Sequence, residues 1–220
     1  MKPYFREAGI EIYLGDCLQV FPEISNEGCT TVVSDPPYGM NWDTDSTRFS
    51  GGHRESIARR GIGKVSPKVA GDDHPFDPVP WLHFPEVILW GFNHFAQRLP
   101  VGTTLVWIKR LDPAFGSFLS DAELAWMKGG HGVYCRRDLS MMAEAKVRQH
   151  PTEKPVSLML WCLGKTSGEW VLDPYMGSGS TLIAAKELGR QAIGIEIEER
   201  YCEIAANRLR QSVMTFESAK

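Results

Sequence analysis

Residues 169–196, EWVLDPYMGSGSTLIAAKELGRQAIGIE, constrain this chain more than any other stretch. An apolar strand at about 169–173 runs into Asp173, Gly177 and Gly179 lead into a helix opened by Ser180 and Thr181, and a second apolar strand, 191–196, ends in Glu196. Strand, glycine loop, helix and strand in that order make a βαβ unit, whose two parallel strands require a sheet with helices packed on it. The glycines let the backbone approach a ligand closely, and the free N–H groups of the helix start face the same place.

The same alternation runs through the rest of the chain. Apolar or alternating runs predict further strands at about 11–15, 29–34, 86–90, 103–109, 121–127 and 132–136. Helical patterns occupy 155–164, 179–188 and 198–211; in the last, Tyr201, Ile204, Ala205 and Leu209 share one face of a 3.6-residue period. Pro155 and Gly164 bracket the first of these as start and stop residues. The expected class is α/β, with helices on both faces of the sheet and ligands collecting beyond the C-terminal strand ends.

The glycine loop excludes two common nucleotide sites. It lacks the Gly-Lys-Ser/Thr ending whose lysine reaches ATP phosphates, and Leu182 stands where a dinucleotide fold needs its third glycine. Glu196, at the tip of the following strand, is placed to hydrogen-bond both hydroxyls of a ribose. The combination points to an adenosine-bearing cofactor without a pyrophosphate. On the alternative reading, Asp173 is a turn acid and Glu196 a helix cap.

A second strand, Thr31-Val32-Val33, ends in the heptapeptide SDPPYGM at positions 34–40. Consecutive prolines cannot donate to a β-ladder, so the strand stops and a stiff loop begins, carrying a carboxylate at Asp35 and an aromatic face at Tyr38. Taken alone, the stretch also fits a proline-rich turn with an exposed tyrosine.

Bulk properties narrow the class. A chain of 220 residues fits one domain, and its five scattered cysteines (Cys17, Cys29, Cys135, Cys162, Cys202) contain no C-x-x-C pair, which argues against a disulfide framework or zinc site and for a reducing cytoplasm. The first sixteen residues hold no apolar stretch long enough for a signal peptide and nowhere do eighteen apolar residues run together, so neither secretion nor membrane insertion is expected. The net charge of −3 excludes a uniformly basic coat, yet between Ser46 and Ala70 six basic residues (Arg48, Arg54, Arg59, Arg60, Lys64, Lys68) face a single acid, Glu55. Such a stretch is either a solvated loop or a phosphate-contacting one. Trp90, Trp107, Trp126 and Trp161 fall in apolar runs and read as core, whereas Trp42 lies in the polar stretch.

Together the two loops make the chain similar to the amino-group DNA methyltransferases that use S-adenosylmethionine. Asp35-Pro36-Pro37-Tyr38 matches the target-amine motif of that family, and Tyr175-Met176-Gly177-Ser178-Gly179 its aromatic-x-G-x-G cofactor loop. The target motif comes first, as in the permuted β group of phage and restriction-modification enzymes. Four more stretches match: YLGDCLQVF (13–21), WGFNHF (90–95), TLVWIKR (104–110) with SDAELAWM (120–127), and HPTEKP (150–155).

The resemblance implies a Rossmann-like methyltransferase fold over residues 1–220, a mostly parallel twisted sheet with one antiparallel strand. It implies target-amine chemistry at Asp35, Pro36, Pro37 and Tyr38, and S-adenosylmethionine held by Asp16, Cys17, Asp35, His150, Thr152, Lys154, Asp173, Tyr175, Gly177, Gly179, Ser180, Thr181 and Glu196. The implied reaction moves a methyl group onto adenine N6 of a flipped-out DNA base and needs neither a metal nor a covalent intermediate. An acidic first residue in the motif resembles the adenine-N6 enzymes more than the cytosine-N4 ones, and the absence of a Pro-Cys nucleophile argues against cytosine C5 chemistry.

Two departures stand out. Tyr175 replaces the usual Phe, which keeps the stacking face. Only about two dozen residues separate Trp126 from His150, too few for a sizeable recognition domain, so the basic insertion at about 41–75 becomes the candidate DNA-recognition loop, with Trp42, Arg48, Arg54, Arg59, Arg60, Lys64 and Lys68 as candidate contacts. A homodimer and a cognate restriction nuclease are the further partners implied. Readings from other classes are a non-catalytic nucleic-acid-binding subunit with the same fold and a nucleoside-dependent oxidoreductase; the intact target motif counts against both.

Overall fold

The computed structural model describes residues 1–24, 28–42, 69–116, 120–140 and 153–217. The chain divides into two compact units, Met1–Pro36 with Asp77–Lys220, and Pro37–Phe76. Among the described residues, no helix is long and apolar enough to cross a membrane.

The larger unit is built on an eight-stranded sheet: β1 (Phe5–Glu7), β2 (Ile10–Leu14), β3 (Cys29–Ser34), β4 (Glu86–Trp90), β5 (Gly102–Ile108), β6 (Ala122–Arg137), β7 (Trp170–Asp173) and β8 (Gln191–Glu196), in the order β1-β2-β8-β7-β3-β4-β6-β5. Strands β2, β8, β7, β3 and β4 run parallel, so the C-terminal ends of β3, β7 and β8 lie side by side. They are buried, β-branched-rich runs such as TTVVS and QAIGIE, as a parallel sheet covered on both faces requires. The strand ends therefore share one rim.

Among the described residues, four α-helices accompany the sheet: α1 (Cys17–Val20), α2 (Val156–Leu163), α3 (Ser180–Glu187) and α4 (Glu199–Glu217). Pro155 sits at the N-cap of α2, and Gly164 closes it by donating to Leu160 O at 2.9 Å. Leu158, Met159, Cys162 and Leu163 of α2 join Leu182 and Ala185 of α3, Cys202, Ala205 and Leu209 of α4, and Val33, Ile88 and Trp90 of the sheet in one apolar cluster. Full burial of each leucine stabilises by roughly 2 kcal/mol, which is what holds short helices such as α2 and α3 in place. By strand alternation, Val32, Val87 and Leu89 point to the opposite face and are also completely buried.

The strand and helix positions agree with those expected to within two residues at most starts and ends. The segments 121–127 and 132–136 differ, for they are two arms of one strand, β6. Partners of β5 descend from Met127 to Ala122 along the first arm and ascend from Val133 to Arg137 along the second, so β5 is flanked by both. Gly129 (φ +81°) and Gly130 (φ +65°) supply the left-handed conformations that this reversal needs. Antiparallel pairing also occurs at β1 with β2, a three-residue strand (FRE) with too little apolar alternation to be legible in sequence.

In the smaller unit the described residues are 37–42 and 69–76. The buried Asp72 organises them: its carboxylate accepts from the backbone N–H groups of Gly39 (2.9 Å), Met40 (3.2 Å) and Trp42 (2.7 Å), while its carbonyl accepts from Asn41 N at 2.6 Å. Gly39 has φ +75°, and a Cβ there would lie 2.4 Å from His74 O. Asn41, Trp42 and residues 69–73 line a shallow groove.

Candidate functional site

Strand β3 ends at Ser34 and releases Asp35 and Pro36, β7 ends at Asp173 and releases the glycine loop, and β8 ends at Glu196. Ser34 Oγ donates to Asp173 Oδ1 at 2.6 Å, and Tyr175 N donates to the same oxygen at 3.2 Å. Burial pushes the Asp173 carboxyl up to about 6, against the opposing pull of the Ser34 and Thr181 hydroxyls and the Tyr175 N–H, with the nearby Asp35 charge adding to the rise. Asp173 is thus an internal brace of the loop.

Glu196 braces the loop from the other side, with Oε2 accepting from Gly177 N at 3.1 Å and Oε1 from Glu198 N at 2.8 Å. Burial raises its pKa, and those N–H bonds work the other way. A carboxylate offers about four acceptor positions, more than these N–H groups fill, which leaves acceptor capacity for a ligand's hydroxyl. Gly179 (φ +82°) packs so closely on α4 that a Cβ would lie 2.8 Å from Ala205 Cβ. On α4, Arg208 Nη1 reaches Ser178 O (2.8 Å), Ser178 Oγ (2.9 Å) and Glu153 Oε1 (2.8 Å), joining the loop to the segment that precedes α2.

Beside the loop lies a line of charges. Lys154 Nζ, on a side chain only 8% exposed, is 2.5 Å from Asp35 Oδ2 and 3.1 Å from Glu123 Oε2. The other oxygen of Glu123 meets Lys109 Nζ at 2.7 Å. Burial alone would raise the Glu123 pKa, but Lys154 and Lys109 outweigh it and hold the carboxyl down at about 2. The two ammonium groups lie over indole rings, Lys154 at 5.9 Å from the Trp90 centroid and Lys109 at 6.0 Å from that of Trp107.

Asp35, Glu153, Lys154, Met159, Asp173, Tyr175, Met176, Gly177, Ser178, Ser180 and Thr181 line one open cleft. At the ring of Tyr175, Trp81 makes an edge contact at 6.2 Å, and the phenol and the Cys17 thiol are hydrogen-bonded, burial pushing the thiol up to about 11. Asp16 caps α1 by accepting from Leu18 N at 2.9 Å, and it sits next to β8 because Gly15 N donates to Glu196 O at 2.9 Å.

Of the residues singled out in sequence, Asp35, Lys154, Asp173, Tyr175, Gly177, Ser180 and Thr181 therefore share one cleft, and Glu196 and Gly179 shape its loop. Asp16 and Cys17 lie at the adjoining strand end, Cys17 as a buried thiol. His150, Thr152, Arg48, Arg54, Arg59, Arg60, Lys64 and Lys68 lie outside the described residues. Pro37, Tyr38 and Trp42 belong to the smaller unit, where Trp42 is 39% exposed. Sequence reasoning passed over Lys109, Glu123, Glu153 and Arg208. Lys109, Glu123 and Glu153 lay in the matching stretches TLVWIKR, SDAELAWM and HPTEKP without a role of their own, and Glu123 is a lone Glu in the apolar run of β6, facing Trp107 across the ladder.

Residues 100–207 match the DNA methylase family of N6 and N4 enzymes. Over 94% of its length the chain is 41% identical to the type II methyltransferase M2.DpnII of Streptococcus pneumoniae, 92% of which is covered. This chain belongs to the N6/N4 DNA methylase family. Its members here include the type II methyltransferase M.HinfI of Haemophilus influenzae, 44% identical over 91% of the chain and 68% of the relative. Among solved structures, the Thermus thermophilus protein TTHA0409 in complex with S-adenosyl-L-methionine superposes with a TM-score of 0.56 at 20% identity, covering 92% of this chain and 95% of that one. The fold is that of these DNA methyltransferases, and the chain is a DNA methyltransferase of restriction-modification type.

Proposed function

We propose that this protein transfers a methyl group from S-adenosylmethionine to N6 of an adenine rotated out of a DNA duplex. The observation that carries the reading is the position of Asp35: an acid released by β3, beside the glycine loop, in a cleft whose other rim is braced by Glu196. The donor set fits the cofactor. The remaining acceptor capacity of Glu196 suits a ribose hydroxyl, the edge of Tyr175 and the Asp16 region suit an adenine, and Glu153 and Ser178 suit an amino acid's ammonium and carboxylate.

S-adenosylmethionine supplies a methyl group activated on a sulfonium. The work left to the chain concerns the amine, which is a poor nucleophile because its lone pair is delocalised into the ring. Asp35 and the carbonyl of Pro36 accept its two N–H bonds, favouring a pyramidal nitrogen with a free lone pair, and the two prolines keep these acceptors fixed before the base arrives. Tyr38, next along the chain, is assigned to stack on the flipped base. The basic insertion is assigned to the DNA backbone, where each phosphate contact would strengthen binding in a salt-dependent way. A cytoplasmic location, a homodimer and a cognate nuclease complete the reading; light scattering that gives a mass near 24.7 kDa would exclude the dimer.

The test is incubation with methyl-labelled S-adenosylmethionine and unmodified DNA, followed by nucleoside mass spectrometry. N6-methyl-deoxyadenosine is the expected product, and N4-methyl-deoxycytidine would reverse the choice of base while keeping the chemistry. Asp35→Ala is expected to bind the cofactor with unchanged affinity and to transfer at least a hundredfold more slowly, about the cost of removing one preorganised polar contact from a reacting centre. Lost cofactor binding in that variant would overturn the assignment of Asp35 to the amine.

A further inference from the structure

The line Asp35, Lys154, Glu123, Lys109 has alternating charge and is carried by four different parts of the fold: the residue after β3, the segment before α2, β6 and the residue after β5. We propose that Glu123 is a positioning residue for methyl transfer: by sharing the Lys154 ammonium it keeps the ion pair from monopolising Asp35, so that the carboxylate can still take the target amine's hydrogen bond. This rests on the function proposed above.

The physical reason lies in where the charges sit. Lys154 is buried against the face of Trp90, and Lys109 lies over Trp107, whose ring packs edge-on to Trp90 at 6.3 Å. With those rings on one side, little water is available to weaken an ion pair, so a lone lysine would hold Asp35 tightly and compete with any incoming donor. A second carboxylate on the same ammonium divides that attraction, and Lys109 in turn keeps Glu123 charged by balancing it. Between Asp35 and Glu123, the ammonium is fixed in place while neither acid has it alone.

Other charged and titratable groups surround the line. Asp173 and its Ser34 bond lie behind Asp35, the Glu153–Arg208 pair lies along the same cleft, and the Cys162 thiol of α2 feels the Lys154 charge. None of these spans Lys154 and Lys109 as Glu123 does. A relay that passed the departing proton outward would need Glu123 to accept it readily, whereas its two lysines hold it ionised. A fixed electrostatic frame is the reading that the pairing supports.

Glu123→Gln keeps the shape and a hydrogen-bond acceptor but removes the charge. At saturating cofactor and DNA, its methyl-transfer rate should fall at least tenfold, with cofactor affinity by calorimetry within twofold of the unsubstituted protein and partial recovery in Glu123→Asp. The acid limb of the pH–rate profile should move to lower pH, because the undivided Lys154 charge makes Asp35 easier to ionise. Lys109→Met should move the same limb to higher pH, because Glu123 then draws Lys154 more strongly to itself. Opposite displacements are something a merely structural role would not produce, and Lys109→Met supplies the readout if Glu123→Gln does not fold. Unmoved profiles, or rate and cofactor affinity lost together, would overturn the proposal. An unsubstituted protein that methylates no DNA base would instead overturn the function itself.

Discussion

Ser34 donates its hydroxyl proton to Asp173 across 2.6 Å of the protein interior, although 139 residues separate them. Each immediately precedes a loop that lines the cleft: Asp35 follows Ser34, and the glycine loop follows Asp173. One buried hydrogen bond therefore joins the end of β3 to the end of β7. The parallel pairing Val32↔Leu172 brings the two ends level, which is why the bond can form.

Removing that hydroxyl leaves a buried carboxylate short of a donor. Ser34→Ala is expected to destabilise the protein by about 1–3 kcal/mol, the usual cost of an unsatisfied buried polar group. Cofactor affinity should weaken with it, since the loop loses its brace. Urea melts monitored by tryptophan fluorescence, with calorimetry for the cofactor, would check both; an equally stable variant would show that the bond contributes nothing net.

Two carboxyls should shape the pH dependence of stability with opposite signs. Glu123 is held at about 2, below the usual 4.5, so the unfolded chain binds more protons between those values; this contribution is present above pH 4.5 and is lost as pH falls toward 2. Asp173 is raised to about 6 from 3.8, so the folded protein binds more protons in that window, and stability declines as pH rises from 3.8 through 6. Each contribution is on the order of 3 kcal/mol at full extent. Urea midpoints collected from pH 3 to 7 should show Glu123→Gln lacking the acid-side loss and Asp173→Asn lacking the decline toward pH 6.

In the smaller unit, Asp72 gathers three loop amides, from Gly39, Met40 and Trp42. Asp72→Ala should speed hydrogen exchange at those three amides by at least tenfold, with no change in the amides of β3 and β7. Gly39→Ala should do the same for a different reason, because its φ of +75° and the approach of His74 O leave no room for a methyl group. Since Tyr38 leads into this loop, both variants are expected to transfer methyl groups more slowly while cofactor affinity holds. Unchanged exchange at Gly39 and Met40 in Asp72→Ala would remove the carboxylate from the account.

Much of this protein is legible in its sequence because the signals are local. An apolar run that stops at two prolines reads as a strand followed by a stiff loop, and a strand, glycines and a helix in succession read as a backbone-lined site. Hence β3, β7, α3 and β8, with Asp35, Asp173 and Glu196 at their ends, could be read from residue type and spacing. Nothing comparable marks Lys109, Glu123 or Arg208. A single acid in the run AELAWM reads as a solvent-facing strand residue, and its role comes from the antiparallel register that sets it opposite Trp107 and from the segment before α2 that brings Lys154 to it. The reversal of β6 around β5 was hidden as well, because two adjacent strand signals look the same whether they form a hairpin or flank a third strand.

The succession of most strands and helices along the chain and the two loops at strand ends were thus already written in the amino-acid string, since they follow from contacts between near neighbours, and the resemblance of those loops to a family supplied the chemistry. Which charge meets which was left to the folded chain, because an ion pair between residues 35 and 154, or 109 and 123, depends on strand order and register, and those are settled only when the whole sheet buries its apolar faces.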